Sequence, residues 1–188
     1  MRIGILGGTF DPVHNGHVYL AKRVCQKLAL DQVIFIPTYL PPHKKGVKVT
    51  PAKHRYNMLK LAVSGNKKFK ISDMEIKRKG RSYSVETLRR LRKKYGQKAE
   101  LFFITGSDSL KELDKWKNLK EIFTLCKFVI VERPGFKVKR KPDGFILLNI
   151  NAKDISSSDI RNRIESKSVK ILIPAKVKAY IARHKLYT

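Results

Sequence analysis

Only two cysteines, Cys25 and Cys126, occur in 188 residues, each within an otherwise apolar segment and not as a CxxC pair. That excludes a disulfide framework and is most simply met by a cytoplasmic protein. No run approaches the roughly 18 consecutive apolar residues of a membrane-spanning helix. The first residues, Met1-Arg2-Ile3-Gly4-Ile5-Leu6-Gly7-Gly8, are too short and too glycine-rich for a signal-peptide core and read as an opening strand. Neither an internal repeat nor a low-complexity linker is visible, so one domain spanning 1–188 is expected. Acidic residues are scarce, 15 against 42 basic ones, leaving a formal charge of +27. They form no carboxylate cluster in the sequence, so no metal cage built by the protein is expected. Such a positive field attracts polyanions. Its lysines are dispersed (Lys44-Lys45, Lys67-Lys68, Lys93-Lys94) rather than gathered in a tail, which reads as a lysine-rich surface and a weak hint of anionic substrates. No RNA-recognition or helix-turn-helix signature accompanies the charge, so no specific nucleic-acid partner is expected.

What is present is 42% hydrophobic, enough for a packed core. Ile3 to Leu6, Val33 to Ile36, Leu101 to Ile104, Phe128 to Val131 and Phe145 to Leu148 are apolar runs with little alternation, as in strands buried on both faces. Phe69 to Ser72 adds a shorter one. Helices fit 16–29, 51–64 with Pro51 in the first turn, a segment capped by Ser84, 107–113, 118–125, 156–165 and 174–184. Strands alternating with helices imply an α/β fold: a doubly wound parallel sheet with helices on both faces. In such sheets ligands bind beyond the carboxyl ends of the strands. The polar clusters Gly7 to His17, Thr38 to Lys44 and Gly106 to Asp108 all fall at strand ends, which points to one shared site.

The first cluster, Gly7-Gly8-Thr9-Phe10-Asp11-Pro12-Val13-His14-Asn15-Gly16-His17, leads from a strand through glycines into a helix. Glycines admit close approach of a phosphate, and a helix N-terminus offers unpaired N–H groups to an anion. His14 and His17, three residues apart, can face one ligand there. The string is neither a Walker loop nor a GxGxxG fingerprint, and no cysteine or carboxylate nearby supports zinc on the two histidines. The second cluster is Ile155-Ser156-Ser157-Ser158-Asp159-Ile160-Arg161. It is either an ordinary capped helix with a solvated arginine or a second phosphate-binding helix start with Arg161 as a planar clamp. Pro41-Pro42-His43-Lys44 is an extended basic loop. Trp116, the only tryptophan, is either a core anchor or a stacking surface for a flat ring. Asp108 can accept from ribose hydroxyls.

The first cluster resembles the signature of the nucleotidyltransferase superfamily that carries the HxGH motif, and the second resembles that superfamily's ISSTxIR motif. The resemblance implies a Rossmann-like sheet. It also implies ATP phosphate binding by Gly7, Gly8, Thr9, Phe10, His14, His17, Ile155, Ser156, Ser157 and Arg161, with Arg133 of an RPG turn on the adenine side. The PPHK loop resembles that of the nicotinate-mononucleotide branch, with Lys44 over the phosphates. Ser82-Tyr83-Ser84-Val85-Glu86-Thr87-Leu88 is similar to the branch's SYTVDTL, with Ser84 and Glu86 departing from Thr and Asp. Carried over on that likeness, Thr87, Gly106, Asp108, Trp116 and Lys117 meet the nicotinate mononucleotide. The implied reaction transfers adenylyl from ATP to that acceptor, releasing pyrophosphate in NAD synthesis. His14, His17, Lys44 and Arg161 serve the chemistry, and Mg²⁺ enters with ATP. The matches, in the family's order, run from residue 1 to about 161. Another acceptor, such as nicotinamide mononucleotide or phosphopantetheine, a non-catalytic ATP-binding relative, and a homo-oligomer all stay compatible with the sequence.

Overall fold

The central strands are apolar on both parities because both faces of their sheet are covered. The computed structural model of the chain describes residues 1–41, 49–132, 138, 143–150, 155–164 and 172–187. Six parallel strands are β1 (Arg2–Gly8), β2 (Gln32–Pro37), β3 (Phe69–Ile71), β4 (Glu100–Gly106), β5 (Lys127–Val131) and β6 (Phe145–Leu148). The helices are α1 (Asn15–Lys27), α2 (Ala52–Val63), α3 (Met74–Arg78), α4 (Ser84–Tyr95), α5 (Leu119–Leu125), α6 (Ser157–Asn162) and α7 (Ala175–Arg183), with a 3-10 segment at Ser107–Lys115. The sheet runs β3-β2-β1-β4-β5-β6, the doubly wound order expected from the alternation of elements.

Alternate residues of β1, β2, β4 and β5 feed opposite cores. Leu6, Val33, Phe35, Phe102, Ile104, Val129 and Val131 pack with Val24, Met58, Leu59, Ile160, Val177 and Ile181 of α1, α2, α6 and α7. Ile3, Ile5, Ile34, Ile36, Leu101, Phe103, Phe128 and Ile130 pack with Val85, Leu88, Leu91 and Ile122 of α4 and α5. Each side chain so buried contributes about 1.5–3 kcal/mol relative to exposure, before the entropy of ordering it. Cys25 and Cys126 are unpaired and buried in these cores, and burial pushes the Cys126 thiol up to about 12.

Several boundaries differ from the expected ones for local reasons. Ser84 does not cap α4. The cap position is Tyr83, whose carbonyl accepts from the Glu86 and Thr87 amides at 3.2 and 3.4 Å, and Ser84 is the first helical residue. Pro51 and Pro174 stand one residue before their helices, in extended backbone. The helix expected over 107–113 is wound as a 3-10 segment and runs to Lys115. Helix α3 had no periodic signal to announce it, being only five residues long.

The consequence for function lies at the switch point. From β1 the chain crosses to β2 on one side, whereas β4 lies on the other, so the carboxyl ends of β1 and β4 open a crevice between diverging connections. Gly7, Gly8, Thr105 and Gly106 stand at its floor.

Candidate active site

Gly7, exposed, follows the buried part of β1, which ends at Leu6. A Cβ built there meets nothing within 4 Å, so any side chain would project into the crevice. The following loop turns through Phe10, at φ +50, and a cis Asp11–Pro12 bond. The side chain of Phe10, a residue expected among the ATP contacts, is 2% exposed and packs edge-on against His17, with ring centroids 5.0 Å apart.

His14 occupies the cap position of α1 and His17 its first turn. The His14 amide donates to His17 Nδ1 at 3.3 Å, and the two imidazoles stack at 3.7 Å with a 30° tilt. A neutral His17 that accepts at Nδ1 carries its proton on Nε2, the form that donates to a phosphate oxygen. Gly16 between them leaves little room for a side chain. An alanine Cβ would stand 3.0 Å from His14 Nδ1, 3.1 Å from its Cε1 and 3.4 Å from Ile155 Cβ. Gly16→Ala is therefore expected to push the His14 ring aside and lower kcat about 10- to 100-fold with little loss of fold stability. Wild-type turnover in that variant would show that the ring position is not critical.

The second motif folds onto the first. Ser156 caps α6, its Oγ accepting from the Ser158 amide at 3.1 Å. Ser157 Oγ donates to the Pro12 carbonyl at 3.0 Å. Arg161 Nη1 donates to the Asp11 carbonyl at 2.7 Å and Nη2 to Ser158 Oγ at 3.1 Å. In this arrangement Arg161 is a strut between the two motifs. Together they frame a cavity of about 420 Å³ whose lining includes His14, His17, Asp108, Glu132, Ile155 and Ser156.

A second cavity of about 320 Å³ adjoins it, lined among others by Glu75, Tyr83, Thr87, Trp116 and Lys117. Gly7, Ile104, Thr105 and Ser109 line both, so the two are one crevice with two ends. Trp116 packs into the core and also faces the cavity. Its ring lies 5.6 Å from Phe103 and 5.7 Å from Phe128, and it also forms a wall of the cavity. Lys117 Nζ is 3.4 Å from Glu86 and 4.7 Å from the Tyr83 ring centroid. Gly106 and Asp108, expected beside Thr87, line the histidine end instead, and Gly8 and Thr9 line the Thr87 end. Lys44 and Arg133 lie outside the described residues.

Several supporting residues carried no signal in the sequence. Arg55 of α2 is 1% exposed and donates to the carbonyls of Thr50 at 2.7 Å, Thr9 at 2.8 Å and Tyr39 at 3.1 Å. Burial lowers its pKa, opposed by the nearby Asp11 charge. Asp11 accepts from Tyr187 Oη at 2.6 Å and from the Thr50 amide at 3.2 Å. The Tyr187 phenol is pushed upward by burial and by that bond to Asp11. The signature loop is thus held by α2 and by the last turn of the chain, 176 residues away.

A family model described as cytidylyltransferase-like matches residues 5–163. A probable nicotinate-nucleotide adenylyltransferase of Desulfitobacterium hafniense is 44% identical over 198 aligned positions, covering 99% of this chain and 95% of that protein. The chain belongs to this family. One of Clostridium novyi, with the same description, is 40% identical, covering 98% of both chains. The nicotinic acid mononucleotide adenylyltransferase of Plasmodium falciparum, solved in complex with NaAD, superposes with a TM-score of 0.82. It covers 99% of this chain and 97% of its own, at 20% identity, a likeness of fold. The family's members are ATP-using nucleotidyltransferases. Among the described residues no helix is long and apolar enough to cross a membrane.

Proposed function

We infer that this chain transfers the adenylyl group of ATP to nicotinate mononucleotide, yielding nicotinate adenine dinucleotide and pyrophosphate for NAD synthesis. The observation that carries the reading is the joined crevice. One end holds the stacked histidines and the start of α6, and the other holds Thr87, Trp116 and Lys117. The activity of the related nicotinate-nucleotide adenylyltransferases, which joins two nucleotides, supports this reading.

In this reading ATP lies at the histidine end and the acceptor's pyridine lies beside Trp116. An oxygen of the acceptor's 5′-phosphate attacks the α-phosphorus of ATP. A new P–O bond forms as the bond from the α-phosphorus to the bridging oxygen breaks, and pyrophosphate leaves with that electron pair. Nothing on the protein need become covalently attached, because the acceptor phosphate is already a nucleophile. Catalysis then consists of positioning and of stabilising charge on the leaving group. We assign the phosphate contacts to His14, His17, Lys44 and the amides at the starts of α1 and α6. Arg161 acts at one remove, by holding the Asp11 carbonyl to α6, and Arg133 is assigned to the adenine side. Gly106 and Asp108 are assigned to the nucleotide at the histidine end. Mg²⁺ fits this donor set as a cation carried on ATP phosphates and water, since it takes few protein ligands and Asp108 and Glu132 face the cavity. When bound it neutralises part of the phosphate charge. The buried, unpaired Cys25 and Cys126 suit a cytoplasmic setting.

The test is pyrophosphate release from Mg²⁺-ATP with nicotinate mononucleotide, nicotinamide mononucleotide and phosphopantetheine offered in parallel. Release with the first in clear preference is expected. Preference for another acceptor overturns the acceptor assignment, and silence with all three overturns the reaction. Trp116→Ala is expected to raise KM for the acceptor about 10- to 100-fold, the cost of one lost ring stack, while Trp116→Phe restores most of it. An unchanged acceptor KM in Trp116→Ala would move the pyridine elsewhere.

A further inference from the structure

The Thr87 end of the crevice contains a buried acid that neither motif explains. Glu75, on α3, is 5% exposed and is part of the cavity wall. Thr87 Oγ1 lies 2.5 Å from Glu75 Oε1. The other oxygen, Oε2, is enclosed and makes no hydrogen bond, although the Ser82 hydroxyl is near the carboxyl. A carboxylate with one oxygen enclosed and unpaired is costly, whereas a carboxylic acid there is not. Burial is the main influence raising its pKa. The Thr87 and Ser82 hydroxyls and the Arg78 charge oppose that rise, and the Glu86 charge adds to it. Arg78 is itself engaged by Glu86 at 2.8 Å. Glu112, Lys115 and Lys117 also line this cavity and complete its charged surroundings, Lys117 standing 3.4 Å from Glu86.

The Thr87 hydroxyl has one proton. If Glu75 is ionised, that proton is given to Glu75, and the acceptor's acid group would face a second carboxylate with no donor from Thr87. If Glu75 is protonated, its O–H donates to Thr87 Oγ1, and the Thr87 proton turns to the ligand. We propose that Glu75 is a positioning residue that determines acid-over-amide selection. Holding its proton, it directs the Thr87 hydroxyl to donate to the acceptor's carboxylate. This deepens the proposed function and rests on it. A carboxamide, which offers N–H donors as well as an oxygen, suits the ionised arrangement better, since Thr87 Oγ1 can then accept.

The sign follows directly. Binding of the acid acceptor requires the protonated carboxyl, so it weakens as pH rises through the Glu75 titration, above the ordinary carboxylate range. The experiment is the ratio of kcat/KM for nicotinate mononucleotide to that for nicotinamide mononucleotide, from about pH 5 to about pH 9. Titrations of ATP, of the acceptor phosphate and of the histidines are common to both substrates and cancel in the ratio. In the wild-type enzyme the ratio is expected to be level at low pH and then to fall, by up to about tenfold per pH unit. In Glu75→Gln, whose neutral amide donates to Thr87 at every pH, the ratio stays level. Thr87→Val, a second variant that removes the relay without touching Glu75, is expected to lower the ratio and abolish its slope. A level wild-type ratio, or an equal slope in Glu75→Gln or Thr87→Val, overturns the proposal while leaving the proposed function intact. Failure of the wild-type enzyme to use the acid acceptor at any pH overturns the proposed function, and this proposal with it.

Discussion

Replacing His17 with alanine is expected to lower kcat about 100- to 1000-fold, the size of effect seen when one donor to a developing charge is removed from a preorganised site. The pyrophosphate assay gives kcat, and a thermal melt of the same sample checks the fold. The ring is held on three sides before any substrate arrives. The His14 amide fixes Nδ1 at 3.3 Å, the His14 ring stacks at 3.7 Å and Phe10 supports it edge-on at 5.0 Å. Little reorganisation is then needed when charge builds on the leaving pyrophosphate. His17 is also only half-buried, so its loss should move the melting temperature by a few degrees at most. KM for ATP should change less than kcat, because the interaction proposed is strongest after the α-phosphorus bond has begun to break. Near-normal turnover in a folded His17→Ala protein would remove the histidine from the mechanism.

The second large effect is on the fold. Arg55→Met is expected to cost about 3–5 kcal/mol of unfolding free energy, read from denaturant midpoints. The guanidinium serves three carbonyls and sits beside a buried acid. Methionine fills a similar volume but leaves the Thr50, Thr9 and Tyr39 carbonyls without their donor and removes one of the cations near Asp11. Arg55→Lys keeps the charge but cannot span three directions from one ammonium, so an intermediate loss is expected. The same variants should lower kcat/KM. Tyr39 and Thr50 flank residues 42–48, the segment that contains Lys44, and Thr9 belongs to the signature loop. A stability loss below about 1 kcal/mol in Arg55→Met would mean that the three carbonyls find other donors at little cost.

Much of this was legible in the chain before any coordinates. The apolar runs at Ile3, Val33, Leu101 and Phe128 fit strands covered on both faces, and the helices between them imply parallel crossovers. The glycines and histidines of the first motif, and the serines of the second, sit at element boundaries where a backbone can present N–H groups. Those are local facts, readable from spacing of residues within one turn or one strand.

The sequence by itself therefore determined the fold class, and it pointed to the strand ends as the place of one shared site. Only the tertiary structure decided the supports and the division of labour. Arg55 reads as one more base in a chain with 42 of them, because its partners are backbone carbonyls, which every residue possesses. The bonds from Tyr187 to Asp11 and from Arg161 to the Asp11 carbonyl join residues 176 and 150 positions apart, beyond the reach of any local pattern. The placing of Asp108 with the histidines, of Thr9 with Trp116, and of Glu75 beneath Thr87 depends on which strands become neighbours. Strand order arises from the summed packing of two cores rather than from any one segment, so it becomes fixed only when the whole sheet is assembled.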